Sequence, residues 1–483
     1  MPLALGLALA LGQAPWALVP IALAGLVTAL LLLPLRFLPG WLLGLGYFGW
    51  AMQWIVHPFL VDPSRHGWMA PFALLFLAGG LALFWGAAFW AAGRFRLGLP
   101  GLVALWAGAE AARSLLFTGL PWALIGHLWI DTPFAQLAAF VGPHGLTLLT
   151  LVLGTLAAML VRRPTARAVP GAAALAALAA VGWALFDPGP APAADPDAPL
   201  VRVVQPNIAQ DEKWDPDLVA LHVERLLDLT GQAAEGEGTA TPALTVWPET
   251  AVPWLLEDAA PILDAAARQA QGGAVVLGVQ RREDESLYYN SLVLVQGDGV
   301  PLALYDKAHL TPFGEYIPYG DWLGRFGIRG LASSQGFGFT PGSGPALIEV
   351  PGIGPALPLI CYEGIFAEEV NGVAGRARVI LLITNDAWFG PGAGPAQHLA
   401  QSRLRAIEQG LPVLRAANTG ISAIIDARGR LLASLPMATA GALDAPLPAA
   451  LPPPPYVRLG DWPALALILG ILAAALLRRR TEV

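Results

Sequence analysis

Apolar stretches close to the thickness of a bilayer core recur through the first 190 residues, at 17–35, 40–57, 70–92, 99–118, 134–161 and 169–186, and once more after Trp462. A helix needs about 20 apolar residues to cross that core, so a chain built this way must place much of itself in lipid. The stretch from Pro2 to Leu11 is short, but a tilted helix there completes a first span and brings the expected number to about eight. Residues 1–199 hold eight Arg, no Lys and six Asp or Glu, which leaves most of the ionisable chemistry to the rest of the chain. Arg36, then Arg94 with Arg96, then Arg162, Arg163 and Arg167, and finally Arg478 to Arg480 follow alternate apolar stretches. By the positive-inside rule those loops are cytoplasmic, and the segment between Asp187 and Asp461 lies on the outer side. No basic residue precedes Arg36, so the first stretch reads as a retained helix rather than a cleaved signal peptide.

Two Pro-rich runs, residues 187–199 and Pro452 to Pro455, bracket the outer segment as semi-rigid spacers. The expected organisation is therefore an N-terminal membrane domain over 1–190, an α/β domain over 191–455, and a last membrane helix with a basic cytoplasmic tail over 456–483. Inside the middle domain, β-rich runs at 201–204, 243–247, 274–279, 291–295, 356–361 and 379–384 alternate with helical runs at 218–230, 259–270 and 396–409. A net charge of -7, with no basic cluster before the terminal arginines, argues against a nucleic-acid partner. One cysteine excludes an intramolecular disulfide, and the seven His show no paired spacing of the metal-binding kind.

Three strand ends carry complementary chemistry. Cys361 closes the run Ala356 to Cys361 at a strand-to-helix turn, where helix-terminal N–H groups favour a nucleophilic thiolate; a lone Cys is equally a small buried hydrophobe. Glu249 follows Trp247-Pro248 and offers either a base for that thiol or a helix cap. Lys307 follows the strand beginning at Leu302 and offers either an ammonium for an oxyanion or an ordinary surface charge. Lys213 and Lys307 are the two lysines among 28 basic residues; Lys213 reads as a solvated charge. Carboxylate, ammonium and thiol at the ends of strands weigh more together than singly, because that edge is where α/β sites form.

Trp-Pro-Glu249, Tyr-Asp-Lys307-Ala-His-Leu-Thr-Pro-Phe-Gly-Glu315, Leu-Ile-Cys361-Tyr362-Glu363 and Thr-Asn385-Asp386-Ala-Trp388-Phe-Gly resemble the Glu-Lys-Cys pattern of the nitrilase superfamily. Together with the flanking apolar stretches, and with Gly-Tyr-Phe-Gly-Trp50-Ala-Met-Gln-Trp54 and Glu110-Ala-Ala-Arg113 inside them, the whole chain resembles the bacterial apolipoprotein N-acyltransferases. The resemblance implies a polytopic helical membrane domain plus a nitrilase-like α-β-β-α sandwich, in the inner membrane with the catalytic domain on the periplasmic side. It also implies a ping-pong acyl transfer without metal or organic cofactor. Glu249 would activate Cys361 to attack the sn-1 ester of a phospholipid, Lys307 would stabilise the oxyanion, and the thioester would pass to the α-amine of a diacylglyceryl apolipoprotein.

By the same resemblance Glu315 would hold Lys307 or help shuttle the proton, while Tyr362 and Glu363 flank the nucleophile; Glu363 reads equally as a buried carboxylate that orients a loop. Trp214 would sit at substrate entry or in the core. Residues 321–341, Gly-rich with Phe337 and Phe339, read as a lid for lipid or as an Ω-loop. Trp122 and Trp129 read as interfacial anchors, with Trp122 also bordering the entrance. Glu110 and Arg113 read first as a mutual structural pair, since ionised groups in lipid are costly alone, and second as a lipid-headgroup or interdomain contact. Gly364 stands where the family commonly has a bulkier apolar residue. The competing expectations are a membrane-tethered amidohydrolase using the same three residues, and a transport or receptor protein whose outer domain only binds.

Overall fold

The computed structural model describes residues 1–162, 168–191, 195, 197–233, 241–318 and 338–481. It divides into two units, one of residues 1–190, 392–408 and 453–483, the other of residues 191–391 and 409–452.

Helices Pro2–Ala10, Val19–Leu32, Phe37–Ala51, Ala70–Arg94, Gly98–Arg113, Ala138–Arg162, Ala168–Phe186 and Trp462–Thr481 carry the apolar stretches of the first unit. Among the described residues, the helical segments Pro63–Arg94, Pro133–Arg162 and Trp462–Arg479 are long and apolar enough to cross a membrane. The helix Ala70–Arg94 buries Leu81, Trp85 and Phe89 and leaves Phe72, Phe76 and Trp90 exposed. An element apolar on every side needs an apolar solvent on its outer one. The internal pair is closed: Arg113 Nη2 lies 2.9 Å from Glu110 Oε2, with both side chains fully buried. The guanidinium also donates to the carbonyls of Leu120, Trp122 and Ala123, and Trp85 Nε1 donates to Glu110 at 2.7 Å.

The interfacial placing of Trp122 and Trp129 is corrected by their burial, at 1% and 7% exposure. An anchor needs a polar end left for water. Here Trp122 Nε1 donates to Gln397 Oε1 at 2.6 Å and Trp129 Nε1 to Thr150 Oγ1 at 2.8 Å, so both ends are satisfied internally. Gln397 belongs to the helix Gly394–Gln409, most of which groups with this first unit although it lies within the span 191–455.

The second unit is two six-stranded sheets. One has the order β12-β1-β2-β3-β4-β5, built from Leu200–Gln205 (β1), Leu244–Val246 (β2), Ala274–Arg282 (β3), Tyr288–Val295 (β4), Pro301–Asp306 (β5) and Gly441–Pro446 (β12). The other has the order β11-β10-β9-β8-β7-β6, built from Ile348–Val350 (β6), Gly354–Ile360 (β7), Val379–Thr384 (β8), Val413–Ala417 (β9), Ala423–Ile425 (β10) and Leu431–Ser434 (β11). β1, β2 and β3 run parallel, as do β7, β8 and β9, and the outer strands pair antiparallel.

Side-chain alternation along the strands builds the layers. Val201, Val203, Val246 and Val276 join Ile360, Leu381 and Leu414 in the core between the sheets. Their neighbours Val204, Trp247, Val275 and Leu277 turn the other way, against Leu226 and Leu263 of the helices Val219–Gly231 and Ala260–Gln269. The result is a nitrilase-like α/β unit in which the C-terminal ends of β2, β5, β7 and β8 carry the residues singled out in the sequence.

Candidate functional site

Glu249 follows β2 by three residues on a tight turn, with Thr250 at φ +49°. Gly278 of β3 makes that turn possible: a Cβ there would lie 2.3 Å from the Thr250 nitrogen and 2.6 Å from the Glu249 Cα. Pro248 has no N–H to continue the ladder, so the chain leaves the sheet and carries the carboxylate over its end. Lys307 directly follows β5. Its preceding residue, Asp306, is fixed by two hydrogen bonds from the Arg281 guanidinium, at 2.8 and 2.6 Å, and one from Ser291 Oγ at 2.6 Å.

The lysine ends among carboxylates. Lys307 Nζ lies 2.7 Å from Glu315 Oε2 and 3.6 Å from Glu249 Oε1, and all three side chains are nearly buried. Asn290 Nδ2 donates to both acids, at 2.7 Å to Glu249 and 2.8 Å to Glu315, while the Lys307 N–H donates to the Asn290 carbonyl. The second Glu249 oxygen accepts the N–H of Asn385 at 2.9 Å, and the second Glu315 oxygen accepts that of Thr311 at 2.8 Å. Burial disfavours the Lys307 charge, yet Glu315 and Glu249 together hold the ammonium above the ordinary lysine value. Burial likewise opposes ionisation of Glu315, but the Lys307 charge and these hydrogen bonds keep its carboxyl below the usual range.

Cys361 begins a five-residue 3-10 turn directly after β7 and sits at φ +53°, a conformation that costs a non-glycine residue energy and projects the side chain off the strand end. The expected thiolate is corrected. Burial and the nearby Glu249 carboxylate push the thiol well above its ordinary value, opposed by Lys307 and by a hydrogen bond with Thr384. One short turn supplies too little positive field to offset desolvation, so these surroundings favour the thiol over the thiolate.

Glu363 ties the two loops together. Its Oε2 accepts the Ile360 N–H at 2.7 Å, just before Cys361, and its Oε1 accepts Tyr305 Oη and the Ala308 N–H, each at 2.7 Å, just around Lys307. Full burial raises its carboxyl to about 7, against the pull of these donors. Its partners are those of a loop-orienting carboxylate. Tyr362 is 8% exposed and packs edge-on to His309 and Phe366. Gly364 leaves a space that Leu382 fills, its Cδ1 standing 3.1 Å from where a Cβ would be.

Lys213 is corrected from a solvated charge to a buried one, 6% exposed, with Nζ donating to the Glu249 carbonyl at 3.3 Å. Its neighbour Trp214 is 46% exposed. Phe339 is half-buried and its N–H donates to the Glu315 carbonyl at 2.8 Å. Phe337 and the greater part of the 321–341 lid lie outside the described residues. Sequence reasoning gave no role to Asn290, whose signal is a carboxamide inside the apolar strand β4, or to Asn385, which it quoted within a motif. An arrangement of thiol, adjacent carboxylate and fixed ammonium suits nucleophilic acyl transfer.

The carbon-nitrogen hydrolase family profile matches residues 200–451, and the apolipoprotein N-acyltransferase N-terminal domain profile matches residues 5–156. The chain is 39% identical to the apolipoprotein N-acyltransferase of Brucella suis biovar 1, covering 91% of this chain and 85% of that one. It is also 39% identical to that of Caulobacter vibrioides, covering 97% and 93%. A carbon-nitrogen hydrolase structure from Helicobacter pylori is similar over 51% of this chain and 88% of its own, at 18% identity and a TM-score of 0.39.

Proposed function

This chain belongs to the apolipoprotein N-acyltransferase family and is an N-acyltransferase, and from that premise we propose how its residues carry the reaction. The acyl donor is a phospholipid and the acceptor is the α-amine of an S-diacylglyceryl-cysteine at the N-terminus of an apolipoprotein. Glu249 takes the proton from Cys361 Sγ as the sulfur bonds to the carbonyl carbon of the sn-1 ester. The negative charge that develops on the carbonyl oxygen is stabilised by the Lys307 ammonium. Collapse breaks the ester C–O bond, the Glu249 proton passes to the leaving glycerol oxygen, and lysophospholipid departs from a thioester. The amine then attacks that thioester, Glu249 accepts the amine proton, and breaking the C–S bond leaves an amide and a thiol regenerated by the same proton.

One observation carries this reading: Lys307 lies between Glu249 and Glu315, at 3.6 and 2.7 Å, with Asn290 bonded to both carboxylates beside a thiol too weakly acidic to ionise unaided. That arrangement gives each residue one task. Glu315 neutralises the lysine so that Glu249 stays available as base, while Tyr362 and Glu363 brace the turn. Trp214, Phe337 and Phe339 serve the lipid side of the reaction as substrate-contacting residues. The same reading takes about eight crossing helices, with membrane segments 1–190 and 456–483 and the domain 191–455 on the periplasmic face of the inner membrane.

Mass spectrometry tests the proposal. Protein incubated with phospholipid alone should gain one acyl mass on Cys361, absent in Cys361→Ser, and lose it to an added diacylglyceryl peptide as an amide. An adduct that is only hydrolysed would support an amidohydrolase instead, and a folded protein that gains no adduct would overturn the reading.

A further inference from the structure

Both lysines of the chain meet Glu249, but from different sides. Lys307 approaches the carboxylate, whereas Lys213 Nζ reaches only the backbone carbonyl, at 3.3 Å. An ammonium has three N–H donors. Among the described residues Lys213 spends one of them on this long bond, and the Trp214 ring stands 5.8 Å away. None of the ion pairs formed by the described residues includes it. A cation at 6% exposure with no carboxylate in direct contact among the described residues is costly, and a ligand that supplies an anionic oxygen would offset that cost.

The surrounding loop is built to hold this position. The Ile208 N–H donates to Asn418 Oδ1 at 2.8 Å and Asn418 Nδ2 returns a bond to the Ile208 carbonyl at 2.7 Å. Asn385, whose own N–H holds Glu249, donates through Nδ2 to Gln210 Oε1 at 2.6 Å. Lys213 is thereby fixed on the framework that fixes the base, within electrostatic reach of Glu249 and Cys361. A half-exposed indole beside it offers an apolar face.

We propose that Lys213 binds the phosphate of the acyl donor, a proposal that rests on the phospholipid reading above. The sn-1 ester and the phosphate hang from the same glycerol. A cation near the thiol but separate from Lys307 can therefore hold the phosphate while the ester carbonyl meets Sγ and Lys307. A compact point charge suits a phosphodiester oxygen, in a chain that otherwise uses Arg for positive charge.

The test compares acylation of Cys361 by phosphatidylethanolamine in micelles with acylation by p-nitrophenyl palmitate, which has no phosphate. Lys213→Met should lose about 30-fold or more with the phospholipid, mainly in the donor concentration needed, and at least tenfold less with the neutral ester. Equal losses with both donors, or no loss with phospholipid, would overturn the proposal. Failure of the wild-type chain to gain an adduct from phospholipid would instead overturn the acyl-transfer reading itself.

A second measurement needs no folded variant. In the wild-type chain, sn-glycero-3-phosphoethanolamine should slow acylation by the neutral ester more than glycerol does. No such slowing, or slowing by inorganic phosphate alone, would overturn the assignment to a lipid phosphate.

Discussion

Lys307 has its shortest ionic contact with Glu315, at 2.7 Å, and stands farther, at 3.6 Å, from Glu249. The carboxylate assigned to proton transfer is thus not the one that neutralises the lysine. On the proposed mechanism, that separation would leave one acid free to take and return a proton while the other keeps the ammonium charged.

Glu315→Gln should expose that division. Without the nearer carboxylate, burial of Lys307 is offset mainly by Glu249, so the lysine should lose its proton at lower pH than in the wild type. We expect acylation of Cys361 to fall about 10- to 100-fold and its rate to decline from neutral to mildly alkaline pH, where the wild-type Lys307 stays charged. Rapid-quench acyl-adduct formation against pH measures both, and an unchanged profile would count against the role.

Glu249→Gln should lower adduct formation by about 10²- to 10⁴-fold, the usual contribution of a positioned base, because the thiol holds its proton above the ordinary value. Glutamine keeps the bulk of the side chain and its contact with the Asn385 N–H. A variant that acylates at more than a tenth of the wild-type rate would remove Glu249 from the chemistry.

Lys213 is lowered to about 8, chiefly by burial and against the pull of Glu249 and Cys361. The ammonium is present below that pH and lost above it. Acylation by phospholipid should therefore weaken as pH rises through about 8, more than acylation by the neutral ester, and Lys213→Met should flatten the difference. Parallel pH profiles for the two donors in the wild type would contradict this.

Glu363 carries a stability signature. Its folded value of about 7 lies above that of an exposed glutamate, so between about 4.5 and 7 the folded state binds more protons than the unfolded one. Its contribution is fully present below the unfolded value and is lost as pH rises through 7. Glu363→Gln, which cannot titrate, should melt below the wild type at pH 5, by about 1–3 kcal/mol, and the gap should narrow by pH 8. Scanning fluorimetry in detergent at the two pH values reads the outcome.

In the helical unit, Arg113→Ala should be the more damaging half of the Glu110–Arg113 pair. It strands a carboxylate and three carbonyls at once, for a cost of about 3–5 kcal/mol, whereas Glu110→Gln keeps an acceptor for Trp85 and for the guanidinium. Comparable melting temperatures for the two variants would show that the carbonyl contacts contribute little.

Much of this molecule could be read locally. Val379 to Thr384 is the strand its β-branched and apolar run predicts, and the helical runs expected at 218–230 and 259–270 start and stop within a residue of the observed helices Val219–Gly231 and Ala260–Gln269. β6 and β9 to β12 were not read, because short strands between turns carry little pattern of their own. Glu249, Lys307, Cys361 and Glu315 were legible because each follows a strand or stands in a motif of unusual residues. Asn290 was not, since one carboxamide in an apolar strand becomes informative only when sheet register sets its neighbour Ser291 opposite Asp306. Nor was Lys213, whose sequence neighbours Asp211 and Glu212 suggest solvent.

The chain's order of residues thus determined which segments are apolar enough for lipid, which alternate as strands, and which side chains stand at strand ends, because those properties depend on neighbours a few positions away. Tertiary structure alone decided that Lys213 is buried, that Trp122 faces inward, and that one asparagine joins two glutamates around a lysine. Burial and long-range hydrogen bonds depend on where distant segments meet, and that is set by packing and sheet register rather than by any local pattern.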